Sequence, residues 1–317
     1  MSFALSLAVA FIIDGIFGDP YSLPHPVVYM GKLISFSEKL FCRIFSNSKK
    51  GRLAAGCCIW IVTASISFLI PFFILSIAGK INYILEFIIQ TFWIYQILAA
   101  KCLYTESMKV FYALKNNDIE KARKLLSYLV GRDTQNLDEQ EIIKAVVETV
   151  AENTTDGVIA PLFYLAVGGV PAGFLYKAVN TMDSMLGYKN EKYIYLGRCA
   201  AYMDDIFNFI PSRIAALFMI AAAFLTGLDG KSAFRIFIRD RKNHLSPNSA
   251  QTESVAAGAL NIQLGGTHDY FGKAVEKPFI GDNIRNAEYN DIRKVNALMY
   301  ISSAIAFLLE VCLLMLI

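Results

Sequence analysis

The chain has 317 residues, of which 55% are apolar types and only 18% charged, and its mean hydropathy is +0.44. Soluble domains carry about a quarter charged residues, so this balance excludes a disordered chain, a disulfide-stapled secreted domain and an ordinary cytosolic enzyme, and leaves an integral membrane protein. A net charge of +3 from 30 basic and 27 acidic residues is too even for a nucleic-acid binder. The six cysteines have no C-x-x-C spacing and read as reduced structural thiols.

A spanning helix needs about 20 apolar residues. In chain order, segment 3–17 is apolar but short and interrupted by Asp14, and no cleaved signal peptide is expected there. Segments 53–78 and 81–100 are full-length spans joined by a tight hairpin. Segment 157–179 is apolar but broken at its centre by Gly168-Gly169-Val170-Pro171-Ala172-Gly173, which reads as a kinked span or a re-entrant hairpin. Segments 206–226 and 297–317 complete a set of four to six spans. The expected fold is therefore all-α, a single polytopic membrane-embedded domain over 1–317, with a helical polar insertion at 101–156 and a large polar loop at 227–296. In the insertion, Asp118 reads as the N-cap of a helix over 119–130 closed by Gly131, and Asp138 with Glu141 as a capping box. Segments 18–52, 101–156 and 227–296 hold 24 of the 30 Lys and Arg residues, so the positive-inside rule assigns them to the cytoplasm.

Polar residues set hard against membrane segments are expensive and usually functional or paired. Four clusters meet that description. In the first, Asp14, Asp19 and His25 lie among prolines, either as a rigid turn with Asp19 capping a helix or as substrate or metal contacts. In the second, Glu148 and Glu152 share one helix face at i, i+4 and call for a nearby cation, with Asn153 and Asp156 following. The third runs Asn180-Thr181-Met182-Asp183 to Lys189, then Asp204-Asp205-Ile206-Phe207-Asn208. Its adjacent aspartates offer hard oxygen ligands suited to Mg2+, or else they cap the start of the next membrane helix. Arg213, about two turns on, reads as an anion clamp. The fourth holds Arg239, His244, Ser246, Asn248 and Glu253, a polar pocket rim or a juxtamembrane charge patch. No Walker P-loop, G-x-S-x-G or H-E-x-x-H motif is present.

At these clusters the chain resembles the membrane-bound CobD/CbiB family of cobalamin-biosynthesis proteins, the adenosylcobinamide-phosphate synthases. The resemblance rests on Gly18-Asp19-Pro20 with Pro24-His25-Pro26; the run Glu152-Asn153-Thr154-Thr155-Asp156-Gly157; Asn180-Thr181-Met182-Asp183-Ser184-Met185; Asp204-Asp205-Ile206-Phe207-Asn208 with Pro211-Ser212-Arg213; and Ser246-Pro247-Asn248 with Glu253. It departs from the family pattern at Tyr202 and Met203, where arginine and leucine are usual, and at Ser249–Thr252, where an Ala-Gly-aromatic-Pro run is usual. The resemblance implies a carbon–nitrogen ligase of the cell membrane that joins adenosylcobyric acid to aminopropanol phosphate or ethanolamine phosphate with ATP and Mg2+. Its product is adenosylcobinamide phosphate, and other corrin-pathway enzymes are implied partners. Read against that chemistry, Asp204, Asp205 and Glu152 are the metal candidates. Lys189, Arg213 and Arg239 are the phosphate candidates, and His25, Glu148 or His244 is the general base. Asp19, Asn153, Asp156, Asp183, Asn208, Ser246, Asn248 and Glu253 are the remaining substrate contacts. The competing readings are a transporter or permease and another Mg2+-dependent membrane transferase.

Overall fold

The structure, a computed structural model, describes residues 3–20, 22–188, 190–270 and 272–316. In chain order the elements are α1 (Phe3–Phe17), α2 (Pro26–Ile44), α3 (Lys49–Ile81), α4 (Tyr83–Ile97), α5 (Ala100–Lys115), α6 (Ile119–Leu126), α7 (Glu139–Thr154), a π turn (Thr155–Ile159), α8 (Ala160–Leu186), α9 (Arg198–Phe207), α10 (Phe209–Leu225), α11 (Gly230–Asp240), α12 (Ser249–Leu260), the strands β1 (Leu264–Tyr270) and β2 (Lys273–Ile280), and α13 (Asn290–Leu316). The β1–β2 antiparallel hairpin is the one departure from an all-α fold among the described residues.

Among the described residues four helical stretches are long and apolar enough to cross a membrane: Lys49–Ile81, Tyr83–Lys115, Glu139–Leu186 and Asn290–Leu316. The pair α9 and α10, broken at Asn208, makes a fifth if it counts as one span, and α1 is a shorter apolar helix. This is a multi-pass membrane protein, as the sequence predicts. The hairpin between α3 and α4 is as tight as expected, because Asn82 alone closes one helix and caps the next through Oδ1, which accepts from the Ile84 N–H at 2.7 Å.

The chain separates into two compact units, residues 1–99, 160–208 and 309–317, and residues 100–159 and 209–308. In the first unit α3, α8 and α9 pack around Ile34, Ile59, Val179, Met182 and Leu196. The expected break in α8 falls at Gly168 and Gly169. Gly169 has φ +64, a left-handed conformation that costs an L side chain energy and that glycine adopts freely.

In the second unit the two polar segments, separate in sequence, share one core. Val146, Val147 and Val150 of α7 pack with Val255, Ala256 and Ala257 of α12 and Ile292, Val295 and Leu298 of α13. All twelve residues of α12 are buried. Its small side chains allow this, and Gly258 lets α11 approach until a Cβ there would lie 2.6 Å from the Ser232 carbonyl oxygen. The capping box of Asp138 and Glu141 is present, with reciprocal bonds of 2.8 Å. Asp118 caps α6 as expected, but the helix ends at Leu126, where Ser127 closes it and donates back to the Lys124 carbonyl. Gly131 is not its terminator.

Candidate active site

In the second unit, α7 presents Glu148 and Glu152 one turn apart, and the cation their repulsion demands is Arg132, from the loop before α7. Arg132 Nη1 lies 3.1 Å from Glu148 Oε2, and the arginine side chain is only 4% exposed. The other oxygen, Glu148 Oε1, accepts the Gly265 N–H at 2.8 Å. Gly265 stands at a register shift in β1 with φ +77, and a Cβ on it would lie 2.3 Å from the Pro278 carbonyl oxygen. Only glycine presents its N–H to Glu148 from that position. Glu152 Oε1 accepts from Ser249 Oγ at 2.7 Å.

Four residues beyond Ser249 on α12, Glu253 is buried. Burial above all, and then the negative charges of Glu152 and Glu148, hold its carboxyl well above the usual glutamate range, while Lys277 and Arg132 oppose them. The shift favours the protonated form of Glu253. His244 is also held neutral, its pKa lowered first by burial and then by Lys277. Its Nδ1 accepts the Ser246 N–H at 3.0 Å, so the neutral ring carries its proton on Nε2 and presents a donor there.

The Ser246-Pro247-Asn248 turn is clamped by α10. Arg213 Nη1 donates to Asn248 Oδ1 at 3.0 Å and to the Phe209 carbonyl, and its guanidinium lies 3.7 Å from the centre of the Phe209 ring. Ser212 Oγ reaches the same Asn248 oxygen at 3.3 Å. Arg239 is bound by carboxylates: Nε and Nη2 meet Asp240 at 2.7 and 2.8 Å, and Nη1 meets Asp282 at 2.7 Å. A phosphate on Arg239 would have to displace them. Asn153 Nδ2 turns back to the Thr149 carbonyl at 2.9 Å. Asp156 is half-buried in the π turn, a backbone form frequent at functional sites.

The first unit holds a separate polar cluster. His25, not Asp19, caps α2, its Nδ1 accepting the Val27 N–H at 3.3 Å; its Nε2 lies 3.7 Å from Asp19 Oδ1. Burial lowers the His25 pKa, opposed by Asp19 and assisted by Lys177. Asp204 and Asp205 do not open a helix as expected, because residues 198–203 already form one; they sit in the last turn of α9. Asp204 accepts an amide on each oxygen, from Asn208 Nδ2 at 3.1 Å and Asn180 Nδ2 at 3.4 Å. Asn208 Oδ1 in turn accepts from Tyr176 Oη at 2.9 Å. Asp183 and Asp205 lie near enough to act electrostatically on Asp204. Lys189 lies outside the described residues.

Of the metal candidates, Asp204 and Asp205 thus belong to one unit and Glu152 to the other. Among the described residues no group of three or more His, Cys, Asp or Glu side chains is arranged to hold a metal ion. Two participants escaped the sequence reading, Arg132 and Lys277. The first signals itself only as a lone basic residue in the Gly131-Arg132-Asp133 loop, and the second only as one lysine among several in a polar segment.

Comparison with known proteins agrees with the motifs. A family model described as "CobD/Cbib protein" matches residues 7–299. The "Cobalamin biosynthesis protein CobD" of Clostridium perfringens is 50% identical over 295 residues, 93% of each chain. That of Listeria monocytogenes strain EGD-e is 46% identical over 300 residues, 95% of each. The "Cobalamin biosynthesis protein CbiB" of Salmonella typhi is 43% identical over 305 residues, 96% of this chain and 95% of its own. No solved structure matches. The chain belongs to the CobD/CbiB family, and its role lies in cobalamin biosynthesis.

Proposed function

We propose that the chain is an ATP-dependent acid–amine ligase that joins a propionate carboxylate of adenosylcobyric acid to the amine of aminopropanol phosphate or ethanolamine phosphate. The observation that carries this reading is the group of half-buried Glu148 and Glu152 and buried Glu253 set against Arg132, Lys277 and His244. It sets carboxyl groups, one of them with its pKa raised by burial, against fixed cations at one place.

A carboxylate is a poor electrophile and must be activated. Attack of its oxygen on the terminal phosphoryl group of ATP gives an acyl phosphate and ADP. The amine nitrogen then attacks the acyl carbon, the C–O bond to phosphate breaks, and the nitrogen gives up a proton. In this reading Glu152 takes that proton; the Ser249 Oγ bond, which orients one of its oxygens, supports the role. Glu148 has both oxygens engaged and acts by positioning. In this reading His244 Nε2–H, and Glu253 in its protonated form, donate toward developing negative charge.

Mg2+ is typically held by one or two carboxylates together with substrate phosphates. The adjacent Asp204 and Asp205 are donors of that kind. The ion would neutralise charge on the transferring phosphoryl group.

The test is a ligation assay on detergent-purified protein with adenosylcobyric acid, each amino-alcohol phosphate, ATP and Mg2+. An amide product of the right mass with matched ADP release is expected. Folded protein that yields neither product nor ADP overturns the reading and moves the weight to transport.

A further inference from the structure

Arg132 is a buried guanidinium with two of its three nitrogens unmet. Nη1 faces Glu148, whereas Nε and Nη2 are buried and meet no hydrogen-bond acceptor among the described residues. Leaving buried charged donors unmet is costly. These two nitrogens are not an arbitrary pair. They form the side edge of the guanidinium, whose two parallel N–H groups match the two oxygens of a carboxylate or phosphate.

The loop that carries this edge is held in place. The neighbouring Asp133 accepts the Gly272 N–H at 2.8 Å, which ties the loop to the hairpin tip. The same hairpin, through Gly265, holds Glu148, and Glu148 holds Arg132. The guanidinium is thereby oriented from one side, with its other edge buried and facing no acceptor among the described residues. Lys277 adds a second positive charge to the same surroundings.

We infer that the Nε–Nη2 edge of Arg132 is the oxyanion subsite of this cluster, binding a phosphate monoester or a carboxylate of the substrate through two parallel hydrogen bonds. This deepens the ligase reading and rests on it for the identity of the substrate. In that reaction the oxyanion is either the phosphate of the amino alcohol or the propionate to be activated, and Arg132 is a binding residue.

The test uses the full-length protein in detergent and compares wild type with Arg132→Lys, which keeps the charge beside Glu148 and loses the fork. Binding of inorganic phosphate, O-phosphoethanolamine, propionate and, as a control lacking an oxyanion, ethanolamine is measured by calorimetry and by the shift in melting temperature. Wild type is expected to bind at least one oxyanion, with affinity about ten-fold or more weaker in Arg132→Lys. Loss confined to the phosphate probes assigns the subsite to the amino-alcohol phosphate, and loss confined to propionate assigns it to the acid. Equal affinities in both proteins, or no oxyanion binding to wild type, overturn the inference. If Arg132→Lys fails to fold, the double variant Arg132→Gln/Glu148→Gln, which removes both charges of the buried pair, takes its place with the same expected outcome. Oxyanion binding that depends on Arg132 in a protein with no ligation activity keeps the subsite and removes the ligase reading. Ligation with unchanged KM and kcat in Arg132→Lys does the reverse.

Discussion

At the scale of single residues, the polar groups of this protein are arranged by partners that lie far away in sequence. Glu148 is the clearest case, since its oxygens are held by Arg132 and by the backbone of Gly265, 117 residues on. Breaking a buried pair by removing one partner leaves an uncompensated charge. Glu148→Ala is expected to lower stability by about 3–5 kcal/mol, since Arg132 would remain buried. Glu148→Gln, which keeps an acceptor for Gly265, should lose less. Thermal melts of the two purified variants check the order.

His25 supports a pH prediction. Its folded-state pKa lies below the ordinary value of 6.5, chiefly because it is buried. The unfolded chain therefore binds the proton more readily. The stability linked to neutral His25 is fully present above about pH 6.5 and is lost as pH falls through the lower folded-state value. His25→Asn keeps a capping acceptor for α2 and cannot titrate. Melting temperatures measured from pH 5 to 8 should fall more steeply toward acid in wild type than in the variant. Parallel curves would remove His25 as the cause.

At the scale of elements, local signals performed well wherever the cause was local. The Asp138–Glu141 capping box and the Asn82 hairpin depend on residues a few positions apart, and both were readable. The break at Gly168–Gly169 was also readable, because two glycines and a proline interrupt an apolar run. Gly169→Ala tests it. With φ at +64 the substitution is expected to cost about 1 kcal/mol or more, measured as a lower melting temperature. The capping alternative for Asp204 and Asp205 does not hold. Asp204 and Asp205 look like helix caps in sequence, but residues 198–203 had already begun the helix. Amides from Asn180 and Asn208 then make the aspartate acceptable in its last turn. The hairpin was missed for a related reason. Gly265-Gly266 reads as a loop until its pairing partner is known.

At the scale of the whole molecule, the candidate groups fall into two units, with the glutamates in one and Asp204 with Asp205 in the other. If both serve one reaction, Asp204→Ala should abolish turnover while folded protein remains in the membrane. Ligation rates and membrane yield measured side by side decide it, and wild-type rates in Asp204→Ala and Asp205→Ala would sink the metal assignment.

The sequence alone determined the membrane character, most helix positions and the family. Hydropathy, capping and motif order are properties of neighbouring residues or of the linear chain. Only the tertiary structure decided that segments 100–159 and 209–308 share one core, and that Arg132, Glu148 and Gly265 meet. Such contacts follow from the packing of α7, α12 and the hairpin, in which the energy of each pair depends on burial by elements distant in the chain.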